Sequence, residues 1–114
     1  MDLPEVIDRC LALPGAEETL PFGPDTLVYK VGGKIFAITT PGEFPSRVNL
    51  KCDPPRALSL REGYDSIVPG FHMNKQHWNT VILDGTVPGT LITELIRHSY
   101  ELVVKALPKS RRPF

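Results

Sequence analysis

The chain has only two cysteines and one tryptophan, no apolar run long enough to cross a bilayer, and no net charge. Cys10 and Cys52 lie far apart without a CxxC spacing. That excludes a disulfide framework or a thiolate zinc motif, and both read as reduced, buried thiols. His72 and His77 are five residues apart with no third ligand nearby in sequence, which fits no zinc pattern, so no metal and no cofactor is expected. There is no GxGxxG, P-loop or GxSxG, hence no local cradle for a dinucleotide or triphosphate and no nucleophile elbow. The sequence is not expected to be an enzyme. Its start, Met1-Asp2-Leu3-Pro4-Glu5, has an acid and a proline where a secretion signal would have a basic start and an apolar run, which predicts a soluble, cytoplasmic chain with no membrane partner. The pI near 6.8 also lies far below the value of about 9 that marks a strongly basic nucleic-acid binder.

Neutrality conceals an uneven distribution. Residues 1–29 carry six acids against Arg9 alone, residues 30–75 seven bases against four acids, and residues 76–114 five bases against three acids. A dipolar arrangement of this kind permits a local basic footprint on a neutral protein.

A chain of 114 residues is expected to form one domain, 1–114, burying roughly two-thirds of its unfolded surface around a single core. Leu3, Val6, Ile7, Cys10 and Leu11 share a helical stripe, with Asp2 and Glu5 as a capping box, and Leu13-Pro14-Gly15 ends it. Residues 16–25 read as an extended connection with Leu20 and Phe22 pinned to the core. Gly32-Gly33 between β-rich runs, 26–31 and 34–40, predicts a hairpin, since glycine accepts the positive φ of a primed turn. A regular register would set Tyr29 opposite Phe36 and Leu27 opposite Ile38 under the helices, leaving Val28, Lys30, Ile35, Ala37 and Thr39 outward. In 47–52, Val48, Leu50 and Cys52 alternate with Arg47, Asn49 and Lys51, a half-buried strand with a basic outer face. Asp53-Pro54-Pro55 caps a helix to about Glu62. A short extended segment at 67–69, a strand at 77–83 and a last helix from about Thr86 to Ala106 follow, then a basic tail, 108–114, expected to fray. The fold class is α+β: a two-layer sandwich of an antiparallel sheet against N- and C-terminal helices.

Two groups of residues could bind a ligand. Lys30, Arg47, Asn49 and Lys51 project from the outer sheet face, with Lys34 at the hairpin tip and Lys75 on a following loop. Lysine and arginine suit phosphates, whereas sequence reading would need side chains that reach base edges. The same residues could equally be ordinary solvated charges. The second group is the loop His72, Asn74, His77 and Trp78, whose donors and indole could grip a phosphate or stack a base. Alternatively, Phe71, Met73 and Trp78 anchor that loop in the core while Asn74 and His77 satisfy its backbone. Trp78, as a lone indole in a β-rich run, is expected to be largely buried. With few aromatics among the cations, a stacking platform for single strands has less support than phosphate contact.

The stretch from Gly63 to Thr80, together with Cys10-Leu11-Ala12-Leu13-Pro14-Gly15-Ala16-Glu17-Glu18 and His98-Ser99-Tyr100-Glu101-Leu102-Val103, resembles the MmcQ/YjbR family of small bacterial domains. The resemblance covers nearly the whole chain. It implies a fold like that of the frataxin-related (CyaY) proteins and a DNA-binding role described through a double-wing motif, with the Gly32-Gly33 hairpin as a wing. The expectation that follows is weak, non-specific contact with duplex DNA. Two alternatives stay open: a frataxin-like protein-interaction or metal-handling module using the acidic first helix, and a small-ligand regulatory domain.

Overall fold

The computed structural model describes residues 1–114. Helix α1, Leu3–Leu11, begins at the expected capping box: the Asp2 carboxylate accepts the Glu5 amide at 3.0 Å, and Glu5 accepts the Asp2 amide at 3.4 Å. Strands β1 (Glu17–Thr19), β2 (Leu27–Val31), β3 (Lys34–Thr39) and β4 (Arg47–Lys51) lead into helix α2 (Pro54–Gly63). Strands β5 (Ile67–Pro69) and β6 (Trp78–Ile82), helix α3 (Gly89–Ala106) and a short 3-10 turn (Lys109–Arg111) complete the chain. The sheet runs β1-β2-β3-β4-β6-β5 with every neighbouring pair antiparallel. One face lies under α3, against which α1 packs, so the architecture is the expected two-layer α+β sandwich. Val6, Phe36, Val48, Val81 and Ile96 are among the fully buried side chains, and Phe36 meets Tyr100 edge-on with ring centres 5.5 Å apart. No helix is long and apolar enough to cross a membrane.

The hairpin forms at Gly32-Gly33, but its register departs from the regular one. Val31 pairs with Lys34 and Lys30 with Ile35; a bulge at Phe36 then shifts the ladder, so Tyr29 faces Ala37 and Leu27 faces Thr39. Tyr29 and Phe36 still share the buried core, because the extra residue of a bulge bends the strand locally. Beyond it the faces exchange: Ala37 and Thr39 are buried, while Ile38 lines an outer cleft together with Ile35.

Three further expectations are corrected. Residues 17–19, read as part of a connection, form an edge strand whose side chains pin it: the Tyr29 hydroxyl donates to Glu18 at 2.7 Å and Thr19 Oγ1 to the Val28 carbonyl at 2.9 Å. Leu20 and Phe22 are not in the core; they are 52% and 68% exposed. The tail, expected to fray, forms the 3-10 turn Lys109–Arg111 and lies against the hairpin. A Cβ on Gly32 would stand 2.5 Å from Leu107 Cδ1 and 2.9 Å from the Arg111 carbonyl, so the glycine is what lets this segment dock on the hairpin. Arg112 fastens it by donating to the carbonyls of Leu107 and Lys105.

The β3–β4 ladder holds only Ala37 opposite Leu50 and Ile38 opposite Asn49. Past that point the strands part, which would orphan backbone groups in the interior. Ser99 of α3 fills the gap: its hydroxyl donates to the Phe36 carbonyl at 2.6 Å and accepts the Lys51 amide at 2.9 Å.

Candidate nucleic-acid interface

The parted strands open a cleft of about 510 Å³, floored by Val103, Ala106 and Leu107 at the end of α3 and walled by Ile35 and Trp78. Lys30 from β2, Lys34 at the start of β3 and Lys51 at the end of β4 stand around it. None of their ammonium groups takes part in an ion pair or a side-chain hydrogen bond; the two ion pairs of the protein lie elsewhere. Glu17 is the register partner of Lys30 across β1–β2, yet it is not bonded to it. Three unneutralised cations over an apolar floor make this the strongest candidate for anion binding on the molecule.

A second cleft, of about 450 Å³, adjoins the first through Ile35. Phe22, Phe71, Ile38 of the sheet and Met73 of the following loop form its apolar lining, with Arg47, Asn49 and His72 among its polar lining. Phe71 is 39% exposed. His72 holds a φ of +57°, in the left-handed region that non-glycine residues seldom adopt, and its side chain stands at this cleft.

Half of the expected phosphate ligands are otherwise employed. Arg47 pairs with Glu43, four residues earlier, and its guanidinium lies 4.9 Å from the centre of the Phe71 ring, so its charge is neutralised at home. Asn49 is held internally: Nδ2 donates to the Phe71 carbonyl at 3.3 Å and Oδ1 accepts the Thr80 hydroxyl at 2.6 Å, while Thr80 Oγ1 accepts the Phe71 amide at 3.0 Å. Lys75 turns inward and donates to the Gly70 carbonyl at 3.0 Å. Lys30, Lys34 and Lys51 are the ones the fold gathers.

The loop residues divide in the same way. Asn74 is a turn residue, its Oδ1 accepting the amides of Gln76 and His77. His77 is exposed and lines neither main cleft. Arg61 ties the loop end down by donating to Asn79 Oδ1 at 2.6 Å and to the Lys75 and Trp78 carbonyls. Gly70 lies against the Trp78 backbone, where a Cβ would come within 2.8 Å of Trp78 Cβ. Trp78 itself is only half-buried, contrary to its expected place in the core. It sits opposite Lys51 on the outer face, and parting of β3 from β4 leaves its ring beside the lysine cleft. Reasoning from sequence missed Phe22 and Phe71 as lining residues. The available signal was the setting of Phe22 within Pro21-Phe22-Gly23-Pro24, a turn that need not bury its aromatic.

Other reactive side chains are committed to structure. Cys10 is fully buried, and burial pushes its thiol up to about 12; Cys52 is buried and raised for the same reason. Burial first, and then the Arg56 guanidinium, hold His98 below its ordinary value, and its Nε2 accepts the Asp53 amide at 3.2 Å. The Tyr100 hydroxyl donates to the Pro14 carbonyl. Asp2 and Glu5 on the acidic helix are occupied with capping.

Comparison with known proteins agrees with this architecture. The chain is 42% identical over 99 residues to the uncharacterised Escherichia coli O157:H7 protein YbdF, covering 87% of this chain and 81% of that protein. It is 36% identical over 112 residues to the uncharacterised protein YjbR of Escherichia coli K12, covering 98% and 95%. The crystal structure of Deinococcus radiodurans protein DR2400 superposes with a TM-score of 0.90 at 44% identity, covering 96% of this chain and 84% of that one. A Pseudomonas syringae protein of known crystal structure superposes with a TM-score of 0.79 at 29% identity, covering 90% and 99%. The sequence model of the YjbR family matches residues 11–102, and with relatives of this similarity along nearly its whole length, the chain belongs to the YjbR family.

Proposed function

We propose that this protein is a cytoplasmic, non-catalytic nucleic-acid-binding module that holds backbone phosphates with Lys30, Lys34 and Lys51. The observation that carries the reading is the convergence of three unpaired ammonium groups on one cleft beside the Gly32-Gly33 hairpin. Arginine and lysine at a concave surface attract the phosphate chain and release its counterions, and three contacts give modest affinity. Little sequence preference is expected, because Asn49, the outer-face side chain best suited to reading a base edge, is fixed by two internal bonds that oppose a bidentate contact to a base. A non-catalytic role is supported by the burial of Cys10 and Cys52 and by the bond of His98 to the Asp53 amide; His72 stands at the second cleft with no serine or cysteine nucleophile lining it. The two free, buried thiols suit a reducing compartment.

Fluorescence anisotropy of a labelled duplex at rising salt tests the reading. Binding in the micromolar range or weaker is expected, with log affinity falling against log salt at a slope of about −3, near −0.9 per phosphate. No binding at low salt, or binding indifferent to salt, contradicts it.

A further inference from the structure

Resting on the nucleic-acid reading above, we infer that the preferred ligand is a single strand, with phosphates at the three lysines and bases stacked on Trp78 and between Phe22 and Phe71. The two clefts share Ile35 as a lining residue, which sets them side by side within reach of one extended ligand. Cations and aromatics line them together: Lys30, Lys34 and Lys51 with the half-buried Trp78 in one cleft, and Phe22 and Phe71 with Arg47 in the other.

Duplex DNA offers phosphates to these clefts but keeps its base faces stacked inside the helix, so the exposed faces of Trp78 and Phe22 go unused, while Phe71 already carries the Arg47 guanidinium on one face. A single strand offers both. Each cleft, at about 510 and 450 Å³, is of a size that takes a small planar ligand. Phe22 is 68% exposed and outside the core, so its ring is accessible to a ligand at the second cleft. Stacking accepts every base alike, which agrees with the lack of a free base-reading side chain. Sequence spacing gave no sign of this platform, because Phe22 and Trp78 are brought to one face only by the fold.

The protein carries one tryptophan, so its intrinsic fluorescence reports on the first cleft alone. Titration with oligo(dT), oligo(U) and a duplex of equal length is expected to give saturable quenching with the single strands, at affinity at least about tenfold above that of the duplex. The salt slope for a single strand should be near −2, about −0.7 for each of three phosphates. The two single-strand arms distinguish DNA from RNA as the source. Phe22→Ala, at an exposed loop position that the fold does not need, should weaken single-strand binding at least about fivefold, the low end for loss of one base–aromatic stack. Phe22→Trp should restore it. Equal affinity for strand and duplex, no quenching and no effect of Phe22→Ala would overturn the single-strand inference while leaving phosphate binding in place. Failure of every nucleic acid to bind at low salt would remove both.

Discussion

Ser99 bonds the carbonyl of Phe36, 63 positions earlier in the chain, while the same oxygen receives the amide of Lys51. One fully buried hydroxyl thus completes a ladder that two strands leave unfinished, and the parting it makes tolerable is the opening of the lysine cleft. Ser99→Ala is expected to orphan both backbone groups and cost about 2–6 kcal/mol, since each unsatisfied buried group costs roughly 1–3 kcal/mol. Chemical denaturation checks this. An unchanged midpoint would mean that water or a strand shift replaces the hydroxyl.

The two hairpin glycines should respond differently to a methyl group. Gly33 has a φ of +82° with nothing within 4 Å of an added Cβ, so Gly33→Ala is expected to cost only the left-handed conformation, about 1–2 kcal/mol. Gly32 has a φ of +57° and faces Leu107 and Arg111, so Gly32→Ala should cost roughly 1–3 kcal/mol more through overpacking and should loosen residues 108–114. Thermal melting of both variants, with proteolysis of the tail, tests the contrast. Equal losses would show that the tail does not depend on Gly32.

Asp84 accepts hydrogen bonds from the hydroxyl of Ser66 and from the hydroxyl and amide of Thr86. The Ser66 bond first, then those of Thr86, lower its carboxyl to about 2 from an ordinary 3.8. A depressed carboxyl stabilises the folded state above the unfolded value, and that contribution is lost as pH falls from about 4 towards 2. Asp84→Asn should therefore lower stability near neutrality, and its deficit should shrink across that acid window. A deficit independent of pH would assign the effect to packing rather than charge.

Much of this fold was legible because local chemistry spoke for it. Asp2 with Glu5, Asp53 before Pro54, and the alternation from Arg47 to Lys51 each mark an element that the structure contains. The bulge was hidden because Ile35, Phe36, Ala37 and Ile38 are all apolar, so a period-two pattern carries no phase there. Strand β1 was hidden for the opposite reason: Glu17-Glu18-Thr19 has no apolar alternation and is held by Tyr29 and by pairing. At the candidate site, the outward placement of Lys30 and Lys51 could be read from strand parity, and that of Lys34 only from its place at the hairpin tip. The neutralisation of Arg47 by Glu43 could not, because the pair meets across a proline-bounded turn rather than along a helix.

The central claim, that binding resides in the lysine cleft rather than in overall charge, is tested most directly by two triple variants with the same loss of charge. One carries Lys30→Gln, Lys34→Gln and Lys51→Gln; the other carries Arg9→Gln, Arg97→Gln and Lys109→Gln, at exposed positions that do not line the cleft. Anisotropy titrations against the same labelled oligonucleotide at several salt concentrations should show the first variant losing affinity and most of its salt slope, while the second keeps a slope close to the parent's. Equal losses in the two variants, or full binding by the first, would contradict the assignment of the phosphate site to Lys30, Lys34 and Lys51.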